Sequence, residues 1–406
     1  GGMATSSGRA ENIEFPADAG VIDVTRPPYH ARGDGQMDCR AAIEQALQDH
    51  PDDNCIIYLP NGTYRVSGPL RWPYSTKTTE GGQRATILQG QSRSGVIIKL
   101  ADYAPGYGSV GRPRAVLWMG DDLTTHERNA VRNLTLDTGT GNVGAVGIHL
   151  NTSEQGCLRH LTLRGSGVAG IDAGHADKVG PCLIKDVRVE GFDIGLRSAF
   201  TVNSLTLEHC EFVGQKAAAI RNQGQVLSIR DLRSTNEVTA IDNRDAVGLV
   251  TVLDSTFHGL PAKRQGPAIY NKGLLHVRNV TTPGYTNAIE NRIPDVPGTA
   301  GPEIREFTSH PPFNLFPAPP ASLEMEIKET PEVPWDPPSA WASPLKFGGA
   351  PNDGNDDSRA LQQAIDSGAT TVYLPHGSWH LTTTVILRGK VRRLIGCEAD
   401  LNVVGP

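Results

Sequence analysis

The phrase Ala-Ile-x-Asn is written four times, at 219–222, 240–243, 268–271 and 288–291. A chain that repeats itself at short, uneven intervals has few folds open to it. The phrase is the second half of a longer unit that recurs seven times. Its first half is a strand-like triplet: LTL 134–136, LTL 161–163, VRV 187–189, CEF 210–212, LRS 232–234, STF 255–257 and VTT 280–282. The second strands centre on Ile148, Ile171, Leu196, Ile220, Ile241, Ile269 and Ile289, at gaps of 23, 25, 24, 21, 28 and 20 residues. Each unit holds short alternating strands and Gly or Asn turns with no helix-length periodicity, which disfavours leucine-rich and ankyrin-type arrays. The expected fold is all-β: a right-handed parallel β-helix of about seven main coils, roughly 34 Å long at the strand spacing of about 4.8 Å.

The totals agree with a turn-rich chain. Among 406 residues there are 45 glycines and only four methionines. Lys and Arg number 38 against 44 Asp and Glu, a net charge of −6 with no basic block, so nucleic acid is not an expected partner. No stretch reaches eighteen apolar residues, so no membrane span is expected, and the opening GGMATSSGRAENIEF has no apolar core of a secretory signal. The six cysteines are scattered and lack zinc-site spacing, which suggests buried small hydrophobes. In an exported protein Cys39 and Cys55, which flank a predicted helix, are the pair placed to bridge.

Two polar columns accompany the coils. Asn222, Asn243, Asn271 and Asn291 fall at one turn position, where asparagine can take left-handed angles and pass amide hydrogen bonds along the stack. Gripping a sugar is the competing role. Asn133, His160, Asp186, His209, Asp231, Asp254 and Asn279 precede each first strand. Their His and Asp alternation resembles metal ligands or a proton relay, but a ladder of turns is the simpler cause.

Upstream, RGDGQMDCRAAIEQAL and IIYLPNGTYRVSGPL read as a turn, a helix capped by Asp38 with Ala42, Ile43, Ala46 and Leu47 inward, and a buried strand. Such a helix would close the solenoid's open end and its aggregation-prone edges. The same order returns at 346–381, in KFGGAPNDGNDDSRALQQAI and TVYLPHGSWHL. Asp353, Asp356 and Asp357 there match the capping segment better than a calcium loop. The expected organisation is an N-terminal extension over 1–30, a first β-helix with its cap over 31–292, a linker over 293–345 and the beginning of a second β-helix over 346–406. The linker holds thirteen of the 29 prolines, and its Trp335 and Trp341 are expected to pack on a neighbour. The second helix reads as incomplete at Pro406, so a partner or further chain is expected over its open end.

The turn, helix, strand and YLPNGTY order resembles the opening of pectate-lyase-superfamily β-helices. Its duplication as YLPNGTY 58–64 and YLPHGSW 373–379 across a proline-rich linker is similar to glycoside hydrolase family 55, the tandem β-helix exo-β-1,3-glucanases. The resemblance implies a protein that acts on a polysaccharide or oligosaccharide, with no cofactor. In that family the catalytic acid stands on the second helix, and no residue here matches it. The paired aspartates and Gly-His-Gly of polygalacturonases are absent from the sequence.

Side chains alternate along a strand, so the residue after each stacked aliphatic points out. Down the coils that position reads His149, Asp172, Arg197, Arg221, Asp242, Tyr270 and Glu290. Arginines pair with carboxylates and tyrosine stacks on pyranose faces, which suits a sugar chain lying along the rod. Asp242 and Glu290 lie two coils apart, about 9.5 Å, the upper limit for an inverting carboxylate pair, so they are the expected catalytic residues of a glycoside hydrolase. The other five are the expected substrate-binding residues, and no metal is expected. A lyase on uronate polymers, with Arg197 or Arg221 as base, is the alternative. A non-catalytic glycan-binding or structural β-helix, its charges a solvated ladder, is the third reading. Export to the cell surface, the periplasm or the medium fits these readings, and Asn61, Asn133, Asn151 and Asn279 each begin a glycosylation sequon.

Overall fold

Nine short parallel strands stack in register down one side of the protein: Leu70–Arg71, Arg114–Trp118, Ala145–His149, Ala169–Ala173, Ile194–Ala199, Ala218–Gln223, Ile241–Asn243, Ile269–Asn271 and Ile289–Asn291. This is seen in a computed structural model that describes residues 11–51, 55–73, 85–120, 127–175, 179–199, 203–245, 247–263, 265–311, 315–317, 322, 324–331 and 333–403. The expected N-terminal extension is thus described from residue 11, and residues 404–406 of the second unit lie outside the described residues. The seven aliphatics read from the sequence are partners in this short-strand sheet, and Leu70 and Leu117 extend their column upstream. Leu70, Leu117 and the seven aliphatics are all fully buried, each worth about 1.5–3 kcal/mol of apolar burial.

The opposite wall is a 16-stranded sheet in which each coil supplies a longer run, such as Gly156–Gly165 and Cys182–Gly191. Each run is bent in the middle. The bend residues are Asn133, His160, Asp186, His209, Asp231, Asp254 and Asn279, and all seven have positive φ, between 46° and 59°. Asn, Asp and His are the non-glycine residues that tolerate this region best, which explains the column. The Ala-Ile-x-Asn asparagines do not share that conformation. They end extended strands and pass hydrogen bonds side chain to side chain: Asn222 Nδ2 to Asn243 Oδ1 at 3.0 Å, Asn243 to Asn271 at 2.7 Å and Asn271 to Asn291 at 2.8 Å. The expectation of left-handed angles there was misplaced by one column, while the amide ladder is present.

One hydrophobic core runs from Val24 to Ile304. Helix α1 (Arg40–Asp49) closes its N-terminal end with Ile43, Ala46 and Leu47 buried. The helix starts one residue later than expected, at an N-cap of Cys39, yet Asp38 Oδ1 accepts from Arg40 N and Ser67 N, both at 3.1 Å. All six cysteines are buried, and Cys39 and Cys55, the pair placed to bridge in an exported protein, are not joined. The Cys39 thiol instead donates to the Arg32 carbonyl at 3.1 Å. At the far end, strand Glu303–Thr308 pairs antiparallel with Leu274–Thr281 and covers the last edge.

Residues beyond the last coil turn back along the rod. Trp335 packs edge-on to Phe15 and Trp341, and Trp341 leads to Tyr373. There helix α2 (Ser358–Asp366) and two parallel strand pairs repeat the opening of the first unit. Their own small core, around Leu361, Val372 and Trp379, adjoins an interface of Ala19, Ile56, Tyr58, Trp341, Tyr373, Ile395 and Cys397. The two YLP strands thus each give a tyrosine, Tyr58 and Tyr373, to one apolar cluster, and Tyr373 Oη donates to Asp18 Oδ1 of the N-terminal segment at 2.9 Å. The aspartates at 353–357 serve backbone N–H groups: Asp357 accepts from Ala350 and His380, and Asp356 from Ser358 and Thr382.

Candidate functional site

The register of the short-strand sheet places Arg71, Trp118, His149, Asp172, Arg197, Arg221, Asp242, Tyr270 and Glu290 in one file. All seven residues singled out in the sequence lie in it, each held by a strand whose alternate residue is locked in the core. Pointing away from the core does not make them all accessible, because charged neighbours cover them. Asp172 is 0% exposed and Asp242 6%.

Asp172 is the centre of the file. Its Oδ1 accepts from Arg197 Nε at 2.9 Å and from Gly174 N at 2.9 Å. Its Oδ2 receives the other arm of Arg197 and lies 3.4 Å from His149 Nε2. Burial opposes charge on Asp172, but the hydrogen bonds from His149 and Arg197 outweigh it and hold the carboxyl far below the usual carboxylate range. His149 is in turn stacked on His175, with ring centroids 4.3 Å apart and planes 14° apart. His175 is pinned between two carbonyls, Asp172 O at Nδ1 and Gly120 O at Nε2, both at 3.0 Å. Burial and the neighbouring His149 lower its pKa against the opposing pull of the two carbonyls.

Ligand-type atoms of His149, Asp172 and His175 all lie within 4.8 Å of one another. A cation held by two imidazoles must lie near the plane of both rings, and stacked rings share no such point. Asp172 is also already occupied by Arg197, so the grouping fits a hydrogen-bonded relay better than a metal centre.

Farther along the file, Asp242 Oδ2 accepts from Arg221 Nε at 3.2 Å and Arg244 Nε at 2.6 Å. To protonate a leaving group, Asp242 would first have to release both guanidiniums. Glu290 is paired with Arg292, whose guanidinium also lies over the Tyr270 ring at 5.9 Å, with Lys272 Nζ at 6.0 Å. The pair expected to hydrolyse is therefore two ion-paired carboxylates flanking an aromatic ring.

The sequence reading missed two groups. Arg244, Lys272 and Arg292 stand two residues past the file on the same side of the buried asparagines, and carrying the strand alternation one step further could have found them. Trp118 sits one coil upstream of the seven read from the sequence, on a strand, RAVLW, that is apolar in its middle three residues and so carries no alternation to mark it. With Arg71, Arg197 and Arg221 the face carries six cations against Asp172, Asp242 and Glu290. Elsewhere, a cleft of about 470 Å³ beside the long-strand sheet is lined by Lys99, Asp137, Arg164 and Glu190, whose opposite charges alternate along the coils.

The chain is thus a parallel β-helix with a charged file, holding two aromatic rings, along one sheet. Residues 24–262 match the family model described as rhamnogalacturonase A/epimerase, pectate lyase-like, and the chain belongs to that family. It is 26% identical over 150 residues to a glucan 1,3-beta-glucosidase of Cochliobolus carbonum, aligning 34% of this chain with 18% of that protein. It is 28% identical over 116 residues to the preneck appendage protein of Bacillus phage PZA, aligning 29% of this chain with 11% of that protein. The chain thus spans less than a fifth of these relatives' length. Among solved structures, it is similar to the Streptococcus pneumoniae surface adhesin PfbA, with a TM-score of 0.38 and 13% identity over 66% of this chain and 92% of that one. It is also similar to an iota-carrageenase from A. fortis, with a TM-score of 0.42 and 13% identity over 66% and 62% of the two chains. No helix among the described residues is long and apolar enough to cross a membrane. Asn133 and Asn151 are buried, so two of the four sequons are closed to glycosylation in the folded chain.

Proposed function

We propose that the chain cleaves an acidic polysaccharide laid along the short-strand sheet, by β-elimination, with His149 as the base. The observation that carries this reading is the His149–Asp172–Arg197 relay. Asp172, charged and fixed by Arg197, accepts the Nε2 proton of His149 and leaves a lone pair on Nδ1. His149 then takes the proton beside a uronate carboxylate. The electron pair forms the new double bond and expels the glycosidic oxygen, which takes a proton from water, and His149 then returns its proton to solvent. Arg221, Arg244, Lys272 and Arg292 receive the carboxylates of neighbouring sugars, and Trp118 and Tyr270 give stacking platforms on either side of the relay. In this reading Asp242 and Glu290 hold those cations in place rather than carrying out hydrolysis.

The test is mass spectrometry of polygalacturonate, alginate and a β-1,3-glucan after incubation with the protein. Unsaturated oligomers from an acidic polymer are expected, and His149→Ala should lower their formation by about 10²–10⁴-fold. Water-added fragments of the β-1,3-glucan would overturn the reading and return the site to a hydrolase.

A further inference from the structure

A second file runs along the long-strand sheet, on the segment that precedes each bend. Register aligns Arg132, Arg159, Lys185, Glu208 and Arg230 on consecutive strands, followed by Leu253 and Arg278. Five of these seven positions are cations and Glu208 is the one acid. Like charges facing each other at about 4.8 Å oppose folding unless a counter-charge meets them. Glu208 supplies part of it, 3.2 Å from Lys185 and 3.5 Å from Arg230, while Arg159 is exposed.

The chain itself supplies more. Among its described residues the returning segment carries Glu324, Glu326, Glu329 and Asp336 against Lys328. It crosses this file as a strap. The Met325 carbonyl accepts from Arg278 Nη2 at 3.3 Å. Glu329 is gripped through both oxygens by Arg230, Oε2 at 2.9 Å, and lies 3.1 Å from His209 Nε2. An extended chain running along the rod and offering a carboxylate to a guanidinium is the geometry an acidic sugar chain would present.

We propose that this cationic file is a second binding face for an extended anionic glycan, separate from the short-strand sheet, and that Glu329 occupies part of it. The inference rests on the polysaccharide reading above for its choice of glycan over acidic peptide or nucleic acid. Cations on five of seven stacked coils suit a polymer that carries acids along its length, and the net charge of −6 does not draw nucleic acid over long range.

The test uses the full chain in a His149→Ala background, where the polymer is not consumed. Affinity electrophoresis measures binding of polygalacturonate and dextran sulfate, with a neutral β-1,3-glucan, polyglutamate and duplex DNA for comparison. Arg159→Glu, at an exposed position that leaves the fold intact, should weaken binding of both anionic glycans at least tenfold. Glu329→Gln should tighten it severalfold, and neither change should alter the neutral glucan. Unchanged glycan binding in both variants, or polyglutamate or DNA binding as tightly as the glycans, would overturn the proposal. A failed elimination reaction would show instead as no turnover by the wild-type chain, which leaves this binding measurement untouched.

Discussion

At the scale of single residues, Asp172 concentrates the most consequence. It is a buried carboxylate with a guanidinium, an imidazole and a backbone amide on its two oxygens. Removing its charge leaves Arg197 facing a partner that no longer balances it, so Asp172→Asn should cost about 3–5 kcal/mol in urea unfolding. The pH dependence has a definite sign. The folded pKa lies below the unfolded value, so the stabilisation is complete above about pH 4 and is lost as pH falls toward the folded value. A pH series of melting temperatures should show a shallower acid limb in Asp172→Asn than in the wild type. At Asp254, with φ of 49°, the backbone sets the outcome: Asp254→Val should cost about 1–2 kcal/mol and Asp254→Gly much less, as read by urea midpoints.

At the scale of elements, the coil stack depends on its asparagine ladder as much as on its isoleucines. Asn243 accepts from Asn222 and donates to Asn271, and all three are fully buried. Asn243→Ala leaves one Nδ2–H of buried Asn222 without its acceptor, while Asn271 Oδ1 keeps the Gly273 amide, so a loss of about 1–3 kcal/mol is expected in thermal unfolding. The fourfold phrase made this column visible because its period is local. The file beside it was equally visible, since alternation along a strand is a property of the backbone. What the strand pattern did not carry was burial. Asp242 is 6% exposed because Arg221 and Arg244 fold over it, and Arg244 reaches it from beyond the strand end.

At the scale of the whole molecule, the returning segment ties the two units together. Trp341 is buried between Trp335 and Tyr373, so Trp341→Ala should cost about 3–5 kcal/mol at that interface. Faster proteolysis within 293–345, at unchanged melting of the first unit, would register it. The strap has its own acid sensitivity. The Arg230 guanidinium outweighs the opposing effect of burial and brings Glu329 down to about 2 from its ordinary 4.5. Its hold is therefore complete above about pH 4.5 and released as pH falls toward 2, and salt should weaken it because the pair lies at the surface.

The sequence by itself determined the coils, their inward column, the amide ladder, the capping helix and its second copy, because each is a local rule of period or turn chemistry repeated in register. It also placed the seven residues of the file. Only the tertiary structure decided which of them are open, that His175 stacks on His149, that Trp118 joins the file from a coil without the phrase, and that an acidic strap lies on a cationic face. These features depend on contacts between residues far apart in the chain, where a side chain's partner is set by how the coils stack and no local pattern records it.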